Sequence, residues 1–271
     1  MVDFQSKGKI HPIERAIYDS RAIFKRLGFD VAIGPEMEDE WHNFDALNIP
    51  KEHPARDMQD TFWLKQPKSE SLIVNPSSLN EEPKSEPEVD SLSKGLKIKD
   101  KGLLLRTHTS PVQIRYIEQK LKEGIDPPYK IIAPGKIFRN EATDATHEAQ
   151  FFQIEGLYVN KKVNMAELKG TLLYFLKEFF GDEEIEVRFR PSFFAFTEPS
   201  AEVDMHSKDK WLEMGGAGLV HPNVLKNAGL GGDKYQGFAF GMGLDRLVML
   251  KYGIPDVRMF YNGDLRLVNQ F

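Results

Sequence analysis

Apolar side chains recur at Ile13, Ile17, Phe24 and Leu27, behind Pro12 and Glu14 and ahead of Gly28. That spacing predicts an amphipathic helix with a proline start and a glycine stop. The period then changes from about 3.6 to two, and Phe29, Val31 and Ile33 alternate as a strand running into Gly34-Pro35. Two more helices are predicted, from Pro111 to Leu121 and from Met165 to Phe180, the latter ending at Gly181. Strand-like runs occupy Tyr129 to Ala133, Lys136 to Arg139, Phe151 to Val159, Glu186 to Arg190, Ala201 to Met205, Trp211 to Met214 and Gly237 to Phe240. Many of these follow one another through short turns, without regular βαβ alternation. The pattern predicts an α+β fold, a largely antiparallel sheet flanked by helices.

One stretch breaks the pattern. From Gln66 to Lys101 no aromatic residue occurs, and Ser, Pro, Glu and Lys dominate. Such a segment cannot bury enough apolar area to offset its ordering entropy. We expect a flexible insertion at 66–101 within a single domain spanning 1–271. Its far end should return as a strand, with Leu96, Ile98 and Leu103 to Leu105 pairing against Thr61 to Leu64. The rest is ordinary globular composition, 41% hydrophobic and 28% charged, without cysteine, so disulfides and thiolate chemistry are excluded. The opening residues form no apolar signal segment, and no apolar run is long enough to span a bilayer, which points to a cytoplasmic protein. A formal net charge of -5 leaves much of any grip on a polyanion to a partner.

Familiar chemical signatures are missing: no GxxxxGK[ST], no GxGxxG after a strand, no HExxH and no GxSxG. What stands out is polar and charged side chains inside strand patterns, which are either satisfied structural polars or site residues. In KIFRNEATDATHEAQFFQIEG, Arg139 ends one strand, a ten-residue loop follows, and Gln153 and Glu155 share one face of the next. A guanidinium there suits a phosphate and the amide and carboxylate suit an ammonium, while an Arg to Glu cross-strand ion pair is the alternative. In GFAFGMGLDRLVML, Phe238 and Phe240 share a face with Ala239 on the other, and Arg246 follows about one helical turn later. In RFRPSFFAFTEPSAEVD, Phe194 and Phe196 at a spacing of two should point their rings to one face of a strand, with Glu198 in register. They form either core or a slot for another aromatic ring. In LLRTHTSPVQIR, His108 and Ser110 end a strand and Gln113 begins a helix, with Ser110 a natural N-cap.

Taken in order, these segments, with GPEMEDEWHNFDALNIPKEHPARDMQDTFWL and WLEMGGAGLVHPNVL, make the chain resemble the catalytic core of bacterial phenylalanyl-tRNA synthetase alpha subunits. The likeness covers nearly everything except 66–101, and HPARDMQDTF, RTHTSP, ATDATH and FTEPSAEVD are long matches. It implies a class II aminoacyl-tRNA synthetase fold, with Pro35 closing motif 1, Arg139 in motif 2 and Arg246 in motif 3. It further implies activation of phenylalanine by ATP to the adenylate, then transfer to tRNA(Phe), by positioning and charge neutralisation. On the resemblance, Arg139 holds the α-phosphate, Glu141 the adenine side and Arg246 the far phosphates. His108, Ser110, Gln113, Gln153 and Glu155 hold the ammonium and carboxylate ends of the amino acid. Phe194 and Phe196 flank its ring and Ala239 forms the pocket floor. Glu198 is the expected Mg²⁺ ligand, with Glu213 a second acidic candidate.

An apolar slot rejects an added hydroxyl by only about 10², so tyrosine should leak through and need editing elsewhere. The resemblance implies a beta subunit for that task and for much of the tRNA contact, in an (αβ)₂ heterotetramer. The likeness begins near His11, so the family's N-terminal coiled-coil arm is expected to be lacking. Phe152 stands where relatives carry His and Asp245 where motif 3 carries Glu, one methylene shorter. A free-standing paralogue serving another acceptor and a non-catalytic relative are the alternative readings.

Overall fold

The computed structural model describes residues 9–56, 61–64, 102–207, 209–231 and 234–271. The expected insertion at 66–101, with Leu96 and Ile98, lies outside the described residues. A seven-stranded sheet organises the described chain. Its strands, numbered along the sequence, are β1 (Asp30–Val31), β4 (Tyr129–Phe138), β5 (Gln150–Asn160), β6 (Glu186–Phe194), β7 (Thr197–Ser207), β8 (Lys210–Val220) and β9 (Gln236–Gly243). Their spatial order is β1-β4-β5-β9-β8-β7-β6. Only β1 with β4 is parallel, and every other pairing is antiparallel, in keeping with the predicted α+β class. A separate two-stranded sheet pairs β2 (Met37–Asp39) with β3 (Leu103–Leu105). On the other side of β3, Trp63 bridges Leu104, which is the hairpin anticipated between Thr61 to Leu64 and Leu103 to Leu105.

Period-2 alternation divides the central sheet between two cores. Ile132, Ile154, Phe238 and Phe240 face one core, built with the helices α1 (Pro12–Arg26), α4 (Met165–Phe180) and α6 (Leu244–Tyr252). Ile131, Leu157 and Ala239, at odd spacings from them along the same strands, face the other, with α3 (Ser110–Lys122), α5 (Pro222–Asn227) and the turn around Leu47. Phe24 of α1 centres the first core, its ring 4.6 Å from Phe175 of α4 and 5.5 Å from Phe240 of β9. The helix boundaries follow local chemistry. Asn164 and Glu167 form a reciprocal capping box at the start of α4, and Gly181 ends it at φ +67°, a left-handed conformation suited to glycine.

Three expectations are corrected. The alternation over Phe29, Val31 and Ile33 predicts a longer strand than the two residues observed. The parallel ladder to β4 stops at Val31, and Ile33 is 88% exposed. The two strand runs split at Pro134-Gly135 are one strand. Beyond Ile132, β4 has no ladder partner on its β1 side, so a proline without an N–H is tolerated there. Gly135 is required because a Cβ would lie 2.3 Å from the Arg106 guanidinium. Ser110 is not an N-cap: it is the first residue of α3, behind Thr109, and its hydroxyl is used elsewhere.

Candidate functional site

The face of the sheet that carries the second core opens into a cavity of about 330 Å³. Its polar end is built around Glu155, in the middle of β5 and 5% exposed. Burial alone pushes this carboxyl above its usual range. The start of α3 compensates with three donors: the Thr109 backbone N–H at 3.0 Å, the Ser110 hydroxyl at 2.6 Å and the Gln113 amide at 2.9 Å. The Arg139 to Glu155 pair weighed as an alternative is therefore not what satisfies this carboxylate. Opposite, Gly241 of β9 leaves room for the glutamate stem, since a Cβ there would sit 3.2 Å from its Cγ.

Beside Glu155 are polar atoms without partners. Neither ring nitrogen of His108 has a hydrogen bond in the structure, and neither does the Gln153 Oε1, although these atoms are buried. Both residues line the cavity. Burial, and then the neighbouring Arg139, lower the His108 pKa to about 3, so the ring is neutral at physiological pH. Buried polar atoms without protein partners, on residues that line a cavity, mark candidate ligand-contacting groups.

The other end is apolar. Phe194 and Phe196 do not share a strand face, as their spacing predicts. Phe194 is the last residue of β6 and Phe196 lies in the two-residue turn of the β6–β7 hairpin, in which Phe194 pairs with Thr197. The hairpin nonetheless brings their rings parallel, 5.8 Å apart with an interplanar angle of 8°. Leu47, Val220, Val224 and Ala239 complete this end. Gly216 is needed behind the rings, because a Cβ there would lie 2.8 Å from the Phe194 ring.

A second, larger cavity, about 730 Å³, adjoins the first, and Arg139 and Gly243 line both. Glu141, His147, Phe151, Glu213 and Arg246 line the second alone. Arg139 lies just past β4, its Nε donating to the Thr107 carbonyl at 3.2 Å and its guanidinium 5.2 Å from the Phe151 ring centre. Arg246, in the first turn of α6, donates from Nε to the Glu213 carbonyl at 2.9 Å. Both residues line this cavity, a suitable arrangement for an oligophosphate.

Twelve sequence-derived site residues are thus distributed with one exception. His108, Ser110, Gln113, Gln153, Glu155, Phe194, Phe196 and Ala239 line the first cavity, Glu141 and Arg246 the second, and Arg139 both. Glu198 lines neither. Its side chain is 74% exposed, beside the His221 Nε2 at 3.3 Å. Glu213, the second acidic candidate, borders the second cavity but is engaged by Arg190 at 3.2 Å. Among the described residues the one His/Asp/Glu trio close enough to share an ion is Glu38, Asp39 and His42. It lines neither cavity and is occupied by Arg115 and Glu118. Among the described residues, the carboxylates that line the cavities do not form a preformed magnesium site.

Sequence reasoning missed Arg106, 4% exposed, whose guanidinium binds the Lys136, Gly34 and Pro35 carbonyls. It ties the segment before β2 to β4 and so fixes the loop that carries His108. Its signal was a charged residue beside an apolar run, indistinguishable from a surface arginine.

Phe152 and Asp245, the two departures from the motif pattern, turn out to be in contact. The Phe152 N–H donates to the Asp245 carboxylate at 2.7 Å, and the Tyr261 hydroxyl donates to its other oxygen. The shorter side chain thus reaches a backbone donor on β5. Burial pushes the Asp245 pKa up to about 6 against these hydrogen bonds.

The sequence comparisons agree with one another. Residues 2–271 match the family model for the tRNA synthetases class II core domain (F). Proteins named phenylalanine–tRNA ligase alpha subunit are similar along nearly the whole chain. That of Cupriavidus necator is 47% identical over 270 residues, covering 98% of this chain and 70% of the relative. That of Laribacter hongkongensis is 46% identical, covering 97% and 68%, and that of Wolbachia pipientis 49% identical, covering 97% and 66%. Among solved structures, pyrrolysyl-tRNA synthetase from Desulfitobacterium hafniense aligns with a TM-score of 0.63 over 92% of this chain and 73% of its own, at 16% identity. That likeness is one of fold.

Asp245 gives a pH prediction. An acid whose folded pKa is raised contributes stability at low pH and loses it as pH rises through the folded value, here between about 4 and 6. The stability of the native protein relative to the Asp245→Asn variant should fall by about 2 kcal/mol between pH 4 and pH 7. Paired denaturant titrations read this, and a constant difference would mean that Asp245 ionises like an exposed carboxylate.

Proposed function

Because the chain belongs to the class II tRNA synthetase core family, among the phenylalanine–tRNA ligase alpha subunits, we propose that it activates phenylalanine with ATP and transfers it to tRNA, as the catalytic alpha subunit of an enzyme completed by a beta subunit. The observation that carries this is the joined pair of cavities. One has a polar end and a ring-lined end, and the other bears two arginines, with Arg139 at the junction.

In the reaction, a carboxylate oxygen of phenylalanine bonds to the α-phosphorus of ATP as the bond to pyrophosphate breaks. A hydroxyl of the tRNA terminus then bonds to the carbonyl carbon, gives up its proton, and AMP leaves. The residues serve this by positioning. The unpaired acceptors, Gln153 Oε1 and the remaining lone pair on Glu155, suit an ammonium group, with Ser110 and Gln113 fixing the carboxylate that receives it. Neutral His108 adds a hydrogen-bonding group without adding a repelling charge. The benzyl side chain then falls between Leu47, Val224, Ala239 and the two phenylalanines. This directs the carboxylate toward Arg139, which neutralises the charge growing on the α-phosphate, while Arg246 holds the outer phosphates and Glu141 the adenine side. Mg²⁺ would be supplied with ATP rather than held beforehand by carboxylates of the cavities.

The alpha-subunit names of the relatives support a beta partner, and we extend this to an (αβ)₂ assembly working in the cytoplasm. Among the described residues no helix is long and apolar enough to cross a membrane. No observation favours a paralogue serving another acceptor or a non-catalytic relative.

The testing experiment is amino-acid-dependent exchange of pyrophosphate into ATP, by the chain with its beta partner. Phenylalanine should stimulate exchange above the other nineteen amino acids, and Arg139→Ala should reduce it by at least about 10³ with the fold intact, since a transition-state charge partner is removed. Exchange that survives the substitution would end the α-phosphate assignment. Ala239→Gly should deepen the apolar end and admit para-substituted phenylalanines, and unchanged selectivity would remove Ala239 from the pocket floor. Sizing of the coexpressed chains should give two copies of each. A monomeric alpha chain that aminoacylates tRNA by itself would overturn the assembly.

A further inference from the structure

The apolar end of the first cavity has walls from three parts of the chain: Leu47 from a turn, Val224 from α5, and Phe194 with Phe196 from the β6–β7 hairpin. Nothing covalent keeps these walls in register, and a slot between parallel rings is only as selective as the hairpin that holds them.

The three walls meet at one side chain. Asn48 follows Leu47 and adopts a left-handed conformation, φ 60° and ψ 22°, that closes a 3₁₀ turn. Asparagine tolerates this region better than most residues. Its amide nitrogen donates to the Ala195 carbonyl at 2.8 Å, at the tip of the hairpin between the two phenylalanines. Its amide oxygen accepts from the Asn223 amide at 3.0 Å, at the start of α5, next to Val224. The turn itself is firmly seated. Arg56 binds Asp45 and the Ile49 carbonyl, and Asn227 donates to the Asp45 and Ala46 carbonyls. The tip has two further anchors: the His221 N–H donates to the Phe196 carbonyl at 2.9 Å, and the Phe194 N–H to the Ser200 hydroxyl at 3.1 Å. Those come from β7 and the end of β8. The Asn48 bond ties the tip to the opposite wall and so sets the distance across the slot.

Resting on the phenylalanine reading above, we infer that Asn48 is a positioning residue for amino-acid specificity: its amide couples the Leu47 turn, α5 and the aromatic hairpin, and thereby fixes the width of the ring-binding slot. Asn48 touches no reacting atom. Its loss should weaken recognition of the side chain while leaving the nucleotide cavity undisturbed.

Two variants separate the side chain from the backbone. Asn48→Gly keeps the left-handed turn at no steric cost and removes the amide, whereas Asn48→Asp keeps the acceptor toward Asn223 and replaces the donor toward Ala195. In pyrophosphate exchange by the complex with the beta subunit, both should raise KM for phenylalanine about tenfold, the effect of a lost hydrogen bond to a buried carbonyl. KM for ATP and kcat should stay within about twofold, and discrimination against para-substituted phenylalanines should fall. Equal changes in both KM values, or none, would overturn the inference. Hydrogen exchange on the same complexes reads the clamp without activity. Amides of residues 194–197 should exchange at least about tenfold faster in Asn48→Gly, with protection of β5 and β9 retained. Unchanged exchange there would overturn the clamp. Failure of the native complex to use phenylalanine would strike the substrate reading instead, leaving the exchange measurement to decide the clamp.

Discussion

A carboxylate buried in the middle of a sheet is the constraint on which the site is built. Glu155 is nearly inaccessible, and an unpaired charge there would cost several kcal/mol. The sequence meets that demand with donors from one short stretch, Thr109, Ser110 and Gln113, at the start of α3. The same three bonds that satisfy the charge dock a helix onto the sheet and orient the loop carrying His108. The groups that would recognise a ligand are thus also the groups that fold this corner. Arg106 secures the loop from behind by binding three backbone carbonyls of two other segments.

The chemistry is sorted along the sheet by which face and which end a residue occupies. Alternation on β5 puts Gln153 and Glu155 on the face of the second core, while β9 presents Ala239 to the same face and Phe238 and Phe240 to the other. Glycines in β8 and β9 leave the space that the Phe194 ring and the Glu155 side chain require. The cationic groups sit at the strand and helix ends, Arg139 after β4 and Arg246 in the first turn of α6. There the chain leaves the sheet and water can reach a phosphate. A polar head, an apolar slot and an adjoining cationic cavity follow from this single arrangement.

The exchange of a longer for a shorter acid in the third motif illustrates how such a scaffold absorbs change. Asp245 reaches the backbone N–H of Phe152 and takes a second donor from Tyr261, in the segment after α6. The contact joins the strand after the second motif to the helix of the third, and Asp245 lines the second cavity together with both arginines.

The sequence by itself determined the class of fold, most of its elements and the cast of the site. The α4 helix is legible because its cap, apolar period and glycine stop are all local, and β5 because its alternation is long. Eleven of twelve proposed residues come together because long motif matches carry a shared arrangement with them. Tertiary structure alone decided how Phe194 and Phe196 face each other, since a two-residue hairpin turn and a continuous strand read alike at a spacing of two. It alone decided that β4 runs through Pro134, since the absence of a ladder partner on that side cannot be read locally. It likewise decided that Glu198 faces solvent, that Phe152 meets Asp245 and that Asn48 spans three walls of one cavity. Each of these depends on residues far apart in the chain, whose contacts are set by packing across the sheet and leave no period, cap or spacing in the sequence to announce them.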